Sequence, residues 1–233
     1  MEFTLLWAAL LGVGLMWGML YLERRTELVP DRGSGMFDLL LGAAMTGLVA
    51  GRLAAMVLTG TNPFTHPADI ILIRGGVHTG FASIAALLFL AWSLRRSNLL
   101  AFDELAPAAL AGLAGWQGGC MFRGTCLGTR SDLPWAFAEP GSELTRHPTE
   151  IYAALLFLAA AVGAFLLLRR GTRPGLLAAT SLVVAGSIRL ITEPIRPSLD
   201  SGPIWWYTAA IGLGLLLAGS TFLSRPPNKG QES

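Results

Sequence analysis

The sequence predicts an all-α, polytopic membrane protein with seven transmembrane helices. Of its 233 residues, 53% are apolar and 14% are charged, whereas a soluble domain carries about a quarter charged residues. The mean hydropathy is +0.56, and apolar stretches long enough to form membrane-crossing helices recur along the chain. This composition excludes a soluble enzyme, a disordered tail and a small disulfide scaffold.

Seven stretches have the length and apolar character of spans, since a helix needs about 20 residues to cross a bilayer core of ~30 Å. They fill most of the chain, so we expect one integral membrane domain over 1–233, ending in a short cytoplasmic tail at 225–233. The first stretch is followed by Glu23 and Arg24 rather than by a small-residue cleavage site, which predicts a retained helix. The seven stretches are 4–22, 36–60, 77–94, 103–122, 150–168, 175–192 and 204–223.

The cations of the connections predict the orientation. The side that follows helices one, three, five and seven carries ten of them: Arg24, Arg25, Arg32, Arg95, Arg96, Arg169, Arg170, Arg173, Arg225 and Lys229. The other side carries five: Arg74, Arg123, Arg130, Arg146 and Arg196. Because cytoplasmic loops are enriched in Lys and Arg, we expect the N-terminus outside and the C-terminus in the cytoplasm.

Charge and motif content narrow the function classes further. The 17 Lys and Arg residues are balanced by 15 Asp and Glu residues, so no nucleic-acid partner is expected. All the cations except Lys229 are arginines, whose planar forks suit phosphate and carboxylate groups. The sequence has no phosphate-binding loop, dinucleotide fingerprint or metalloprotease motif, so neither a cofactor nor a metal is expected.

Charged residues at the ends of spans indicate a site near the outer leaflet. Arg52 lies in the outer half of helix two, and Arg189, Glu193 and Arg196 follow one another at helical spacings of four and three, which predicts a shared face. One interpretation is an ion pair of Arg189 with Glu193 within the helix. The other is an anion-binding site, because one carboxylate cannot neutralise all these arginines and intramembrane charges are usually functional.

Two histidines are candidate site residues. His147 precedes Pro148 at the start of helix five, beside Arg146, where a base that titrates near neutral pH would meet the outer interface. His78 follows the pair Gly75-Gly76 at the start of helix three, where the backbone can approach a ligand or a neighbouring helix closely. For either histidine, a structural role is the alternative. For Cys120 and Cys126, buried free thiols are favoured over a disulfide, which stays possible on the outer side.

Five segments resemble one known family in the same order: GRLAAMVL from Gly51, RGGVHTGFAS from Arg74, GGCMFRGTCLG with LPWAF from Gly118, RHPTEIY from Arg146, and RLITEPIRP from Arg189. Together they are similar to the bacterial prolipoprotein diacylglyceryl transferases. The resemblance runs from about residue 40 to the end of helix seven, and RHPxxxY and RxxxExxR are its most specific parts.

The resemblance implies a multi-pass enzyme of the bacterial cytoplasmic (inner) membrane that acts in lipoprotein biosynthesis. Its substrates would be phosphatidylglycerol, a membrane lipid, and prolipoprotein signal peptides. The diacylglyceryl group would pass to the thiol of the lipobox cysteine. We expect catalytic roles for His147, Arg189 and His78. We expect substrate-binding roles for Arg52, Gly75, Gly76, Gln117, Arg146, Tyr152, Glu193 and Arg196.

Departures from the family pattern leave alternatives open. Gln117 stands where the family signature has arginine, the later Asn-x-Glu of the signature falls at 123–125 without its carboxylate, and Ala153 replaces a Glu. The first alternative is a divergent paralogue that binds an anionic lipid or modifies another lipid-linked acceptor, with impaired transferase activity. A transporter, which would use discontinuous spans and midplane polar residues, and a structural membrane subunit are less favoured.

Overall fold

The structure is a computed structural model in which helices account for most of the described chain. It describes residues 4–26, 34–65, 77–95, 100–123, 126–138, 141, 143–196 and 204–223. Within these ranges the elements are α1 (Thr4–Arg25), α2 (Ser34–Leu58), α3 (Thr79–Ser93), α4 (Leu100–Gly118), the short α5 (Cys120–Arg123), strands β1 (Phe137–Ala138) and β2 (Thr145–Arg146), α6 (Thr149–Arg170), α7 (Leu176–Thr192), a 3₁₀ turn (Glu193–Ile195) and α8 (Ile204–Leu223).

Each of the seven predicted stretches contains one long helix, which confirms the all-α class. Four helices of the described chain are long and apolar enough to cross a membrane: Gly35–Leu58, Thr149–Arg170, Leu176–Ile195 and Ile204–Leu223. Large apolar side chains on their outer faces are exposed, such as Leu216 at 75%, as lipid-facing positions require. This part of the prediction, an all-α membrane protein, is therefore confirmed. The expected tail at 225–233 lies outside the described residues.

Helix α4 lies at the centre of the bundle, packed against α1, α6 and α7, while α2 pairs with α3 and α7 with α8. Small residues allow a close approach of α4 to α1: a Cβ at Gly115 of α4 would lie 2.6 Å from the Cα of Gly12 in α1. Such contacts between small residues let helix backbones approach each other within a membrane. Helix α4 therefore positions its polar residues against several neighbours at once.

The start of α4 is joined to the start of α7 by a buried carboxylate, that of Asp103. Asp103 accepts hydrogen bonds from the backbone N–H groups of Gly175 and Ala178, both at 2.7 Å. These donors belong to the start of α7, where backbone N–H groups have no partner within their own helix. The carboxylate supplies that partner and fixes the start of α7 against α4.

A disulfide joins Cys120 and Cys126, with their Cα atoms 4.9 Å apart. The expectation of two buried free thiols is therefore wrong. Helix α4 ends at Gly118 and the short α5 begins at Cys120, and both bridged side chains are buried. The sequence spacing alone could not reveal that the two cysteines lie this close together.

The segment after the disulfide connects the start of α6 with the end of α7. The backbone N–H of Gly128 donates to the carbonyl of His147 at 2.7 Å, and that of His147 donates to Thr129 at 3.0 Å. The N–H of Thr129 in turn donates to the carbonyl of Ile195 at 2.9 Å. A two-stranded hairpin of β1 and β2 completes this loop layer. The loop layer therefore holds the RHPTEIY motif beside the RLITEPIRP motif, although the two are far apart in the sequence.

Candidate functional site

The site is centred on Glu150, a buried residue in the first turn of α6. Its Oε2 lies 3.4 Å from Nη1 of Arg189 on α7, and its Oε1 accepts from Nη2 of Arg196, just beyond the 3₁₀ turn. The carboxylate therefore lies between two guanidinium groups. Its position at a helix N-terminus adds to the stabilisation, since the helix dipole favours negative charge there.

A second carboxylate completes the ion-pair network. Glu193 Oε2 lies 3.4 Å from Nη1 of Arg196 and accepts from the hydroxyl of Tyr207 at 3.4 Å. The same hydroxyl accepts from Nη2 of Arg189 at 3.4 Å. Tyr207 on α8 thus links the two arginine–glutamate pairs, and three helices contribute to one network.

Gln117 of α4 joins the network through its side-chain amide. When the amide is oriented to satisfy its neighbours, Nε2 donates to Glu150 Oε2 at 2.7 Å and Oε1 accepts from Arg189 Nη1 at 2.8 Å. The residue is buried. The position that departs from the family signature therefore lies in direct contact with the charged residues.

Burial and charge define what this cluster can do. The exposed fraction of the side chain is 8% for Glu150, 12% for Arg189 and 30% for Arg196, so Arg196 has the most open side. Burial lowers the pKa of Arg196, but the carboxylates of Glu150 and Glu193 raise it by more, and the pKa lies above its ordinary value. The guanidinium stays charged and can bind an anion.

Of the two interpretations of these charges, the ion pair of Arg189 with Glu193 within the helix is wrong. Arg189 takes its ion-pair partner from α6, at Glu150, rather than from Glu193 four residues on. The helix ends at Thr192 and Pro194 follows in a 3₁₀ turn, so Arg196 reaches the cluster from outside the helix. Because Glu150 supplies a second carboxylate, Arg189, Arg196 and the two glutamates are together formally neutral.

His147 lies beside the cluster in the loop layer. Its backbone is held by Gly128 and Thr129, and its buried Nδ1 has no hydrogen-bond partner within the described part of the chain. Its ring meets that of Tyr152 edge-on, with 6.2 Å between centroids. The Tyr152 hydroxyl accepts from the indole N–H of Trp135 at 2.8 Å. The structure therefore brings His147 and Tyr152 together.

His78 is the N-cap of α3, and its Nδ1 accepts from the backbone N–H of Phe81 at 3.5 Å. Its ring also meets Trp206 edge-on at 6.2 Å. Trp206 is the residue before Tyr207, so α8 connects the histidine with the charged cluster. The described contacts of His78 are those of a capping residue packed against aromatic rings.

The remaining predicted site residues lie around this centre or beyond the described chain. Arg52 is buried on α2, one residue after Gly51, whose carbonyl accepts from the N–H of His78 at 3.0 Å. Arg146 donates from Nη1 to the carbonyl of Gly128 at 3.3 Å and so supports the loop layer. Gly75 and Gly76 lie outside the described residues.

The charged cluster and the loop layer are built from the segments that carry the family motifs, and comparison with known proteins agrees. A profile of the prolipoprotein diacylglyceryl transferases matches residues 3–225. The chain belongs to this family. It is 27% identical to the phosphatidylglycerol–prolipoprotein diacylglyceryl transferase of Shewanella sp. (strain ANA-3), over 93% of this chain and 86% of the relative.

Two further relatives of the diacylglyceryl transferase family carry the same name. The protein of Bartonella bacilliformis is 30% identical over 78% of this chain and 71% of its own length. That of Paracidovorax citrulli is 34% identical over 68% of this chain and 63% of its own length. The chain thus spans most of the length of its relatives.

The sequence did not predict two residues of the charged cluster, Glu150 and Tyr207. Glu150 lies inside the RHPTEIY motif, but an acidic residue in the first turn of a helix is ordinary and gave no separate signal. Its position three residues after His147 was the available clue. Tyr207 follows two tryptophans at the start of α8, within an apolar span in which a tyrosine gives no separate signal.

Proposed function

We propose that the protein transfers the diacylglyceryl group of phosphatidylglycerol to the lipobox cysteine of prolipoproteins. Membership of the family and the names of the relatives support this reaction. The observation that carries it to particular residues is the pair of partly buried arginines, Arg189 and Arg196, on either side of one buried carboxylate. Two guanidinium forks in a low-dielectric setting suit a phosphate group.

In the reaction, the cysteine sulfur forms a bond to the carbon of the diacylglyceryl group that carries the phosphate. The carbon–oxygen bond breaks, and its electron pair leaves with glycerol phosphate, which accepts the proton that the thiol gives up. Negative charge on the phosphate oxygens grows in the transition state. We assign Arg189 and Arg196 to that charge, because cationic donors fixed in advance stabilise developing charge without reorganisation.

The thiol must lose its proton to become the nucleophile, and His147 is assigned to this step. Its buried Nδ1, without a partner in the described chain, leaves the ring able to accept a proton. Tyr152, in ring contact with His147, is assigned to the acceptor peptide. In this assignment the base belongs to the loop layer, and the phosphate-binding groups belong to α7 and to the residue that follows its 3₁₀ turn.

The other predicted residues take supporting roles in this proposal. His78 and Arg52 lie on neighbouring elements that α8 and the Gly51 carbonyl connect, and we assign them with Gly75 and Gly76 to the lipid. Arg146 holds the loop layer through the Gly128 carbonyl. Gln117 and Glu193 orient the two arginines.

The topology is part of the same proposal. Seven spans, an N-terminus outside and a C-terminus in the cytoplasm of a bacterial inner membrane would place the charged cluster near the outer leaflet, as one domain. The distribution of Arg and Lys among the connections supports this orientation. Both substrates, the lipid and the signal peptide, would then reach the site from within the bilayer.

The decisive experiment incubates the purified protein with phosphatidylglycerol labelled in its acyl chains and a lipobox peptide. We expect label on the peptide and release of glycerol phosphate in equal amounts. The matched control is a peptide in which serine replaces the lipobox cysteine, which should stay unlabelled. Binding of the lipid without transfer would instead support the divergent paralogue, and transfer to another acceptor would change the assigned substrate.

A further inference from the structure

Arg189 and Arg196 already bind an anionic group, and this group is a side chain of the protein itself. Glu150 accepts from Arg196 through Oε1, and through Oε2 from Arg189 at 3.4 Å and Gln117 at 2.7 Å. Three side chains from three segments thus converge on one carboxylate that is 8% exposed. The carboxylate occupies the space between the two guanidinium groups.

A carboxylate and a phosphate make the same demands on their surroundings. Both accept from guanidinium forks in two-point geometry, and both are favoured at a helix N-terminus such as that of α6. They cannot share the position while both are ionised, because like charges a few ångströms apart in a buried site repel each other strongly. A phosphate that binds both arginines must therefore move Glu150 aside.

We propose that Glu150 is an internal competitor of the lipid phosphate: its carboxylate takes the anion position between Arg189 and Arg196, and the phosphate binds by displacing it. This inference rests on the proposed function, which assigns the arginines to the phosphate. It goes beyond that function because it gives the site an internal competitor, which weakens the binding of every phosphate that contacts only the two arginines.

The competition weakens the binding of substrate and product by the same factor. The diacylglyceryl phospholipid brings its acyl chains and the rest of its headgroup, and these contacts add to the binding at the arginines. Free glycerol phosphate has only its headgroup contacts and meets the returning carboxylate of Glu150. The substrate therefore stays bound through its other contacts, whereas the product is held only weakly and is released.

The test measures binding of sn-glycerol 1-phosphate to the full-length protein in detergent, as the shift of the unfolding temperature with ligand concentration. Glu150→Gln keeps the size of the side chain and removes the competing charge. We expect its apparent Kd for this probe to fall about ten-fold, the effect of one charge-assisted hydrogen bond. In the transfer assay, the KM for phosphatidylglycerol and the inhibition constant of the product should both fall, with no rise in kcat.

Two further variants show whether the position or only the net charge matters. Glu193→Gln removes the same charge from the other carboxylate, which contacts Arg196 and Tyr207, and we expect a gain well below that of Glu150→Gln. Glu143→Gln changes the same charge at an exposed position of the outer loop and should leave the Kd unchanged. If Glu150→Gln does not fold, Glu150→Asp withdraws the carboxylate by one methylene and should give a smaller gain.

The outcomes separate this inference from the proposed function. Weaker or unchanged probe binding in Glu150→Gln would overturn the inference, and so would equal gains in Glu150→Gln and Glu193→Gln. In either case, transfer by the unsubstituted protein would still support the proposed function. Tighter probe binding in Glu150→Gln without transfer by either protein would support the internal competitor and overturn the function.

Discussion

Gln117 donates to the carboxylate of Glu150 at 2.7 Å, so a neutral amide on α4 contacts the acidic residue at the start of α6. The same amide accepts from Arg189 at 2.8 Å. Gln117, which departs from the family signature, is therefore part of the charged cluster. Substitutions of Gln117 test how the carboxylates and guanidinium groups of the cluster pair with one another.

We expect Gln117→Arg to raise the turnover of phosphatidylglycerol about ten-fold, the difference that a charge-assisted hydrogen bond makes. The new guanidinium would draw Glu150 away from Arg189, whose N–H groups would then be available to the phosphate. The measurement is kcat/KM in the labelled transfer assay. Gln117→Met, which removes both hydrogen bonds without adding charge, is the control and should lower activity. Unchanged or lost activity in Gln117→Arg would contradict the expectation.

His147→Gln should lower transfer by about 10² or more, the usual contribution of a general base. Glutamine keeps the polarity and approximate size of the side chain but cannot accept the thiol proton near neutral pH. Membrane insertion and the unfolding temperature should stay the same, since the backbone of His147 makes the hydrogen bonds of the loop layer. Equal activity of the two proteins would reduce His147 to a structural residue.

Tyr207→Phe should lower the free energy of unfolding by about 1 kcal/mol for each lost hydrogen bond and reduce kcat/KM several-fold. The hydroxyl holds Arg189 and Glu193 together, so its loss loosens the phosphate-binding geometry. The matched control is Tyr21→Phe, which removes an exposed hydroxyl that accepts from Arg25 at 2.7 Å on α1. A similar loss of activity in both variants would refute a specific role for Tyr207.

Removal of the disulfide by Cys120→Ala with Cys126→Ala should lower the free energy of unfolding by about 2 kcal/mol, the chain-entropy value for a short loop. Activity should fall as well, because the bridge lies between the end of α4 and the segment that binds His147. Reduction of the unsubstituted protein should reproduce both effects. A reductant should have no further effect on the double variant, and if it does, its action lies elsewhere.

The stability of the protein should fall between about pH 5 and 8 because of Glu23, one residue beyond the first predicted span. Its carboxylate is fully buried and has no hydrogen-bond partner within the described ranges. Burial, with a smaller contribution from Glu104, raises the pKa of Glu23 from 4.5 to about 8. The folded state favours the protonated form, so ionisation of the unfolded chain above pH 4.5 destabilises the fold until the pH passes the folded pKa.

Glu23→Gln provides the comparison, since its amide stays neutral over this range. Unfolding temperatures measured from pH 5 to 9 should decline less steeply in this variant than in the unsubstituted protein. Parallel curves would show that Glu23 does not titrate with the raised pKa.

The sequence by itself determined the helical membrane class, the seven helix-bearing segments and the family. Apolar composition and the order of motifs do not depend on contacts between residues that are distant in the chain. It also identified Arg189, Glu193 and Arg196 as charges that a membrane does not bury without a reason. These features depend on local length and residue type, and helices form where such stretches occur.

Only the tertiary structure decided which charges pair. Glu150 meets Arg189 although 39 positions separate them, and Tyr207 meets Glu193 across a change of helix. The Cys120–Cys126 bridge depends on the end of the regular helix α4 at Gly118, beyond which the two cysteines come within 4.9 Å of each other. Helical spacing predicts neighbours on one helix only, whereas partners on different helices are fixed by how the bundle packs around α4. The neutrality of the cluster, and with it the competition at the arginine pair, is therefore a property of the packed fold.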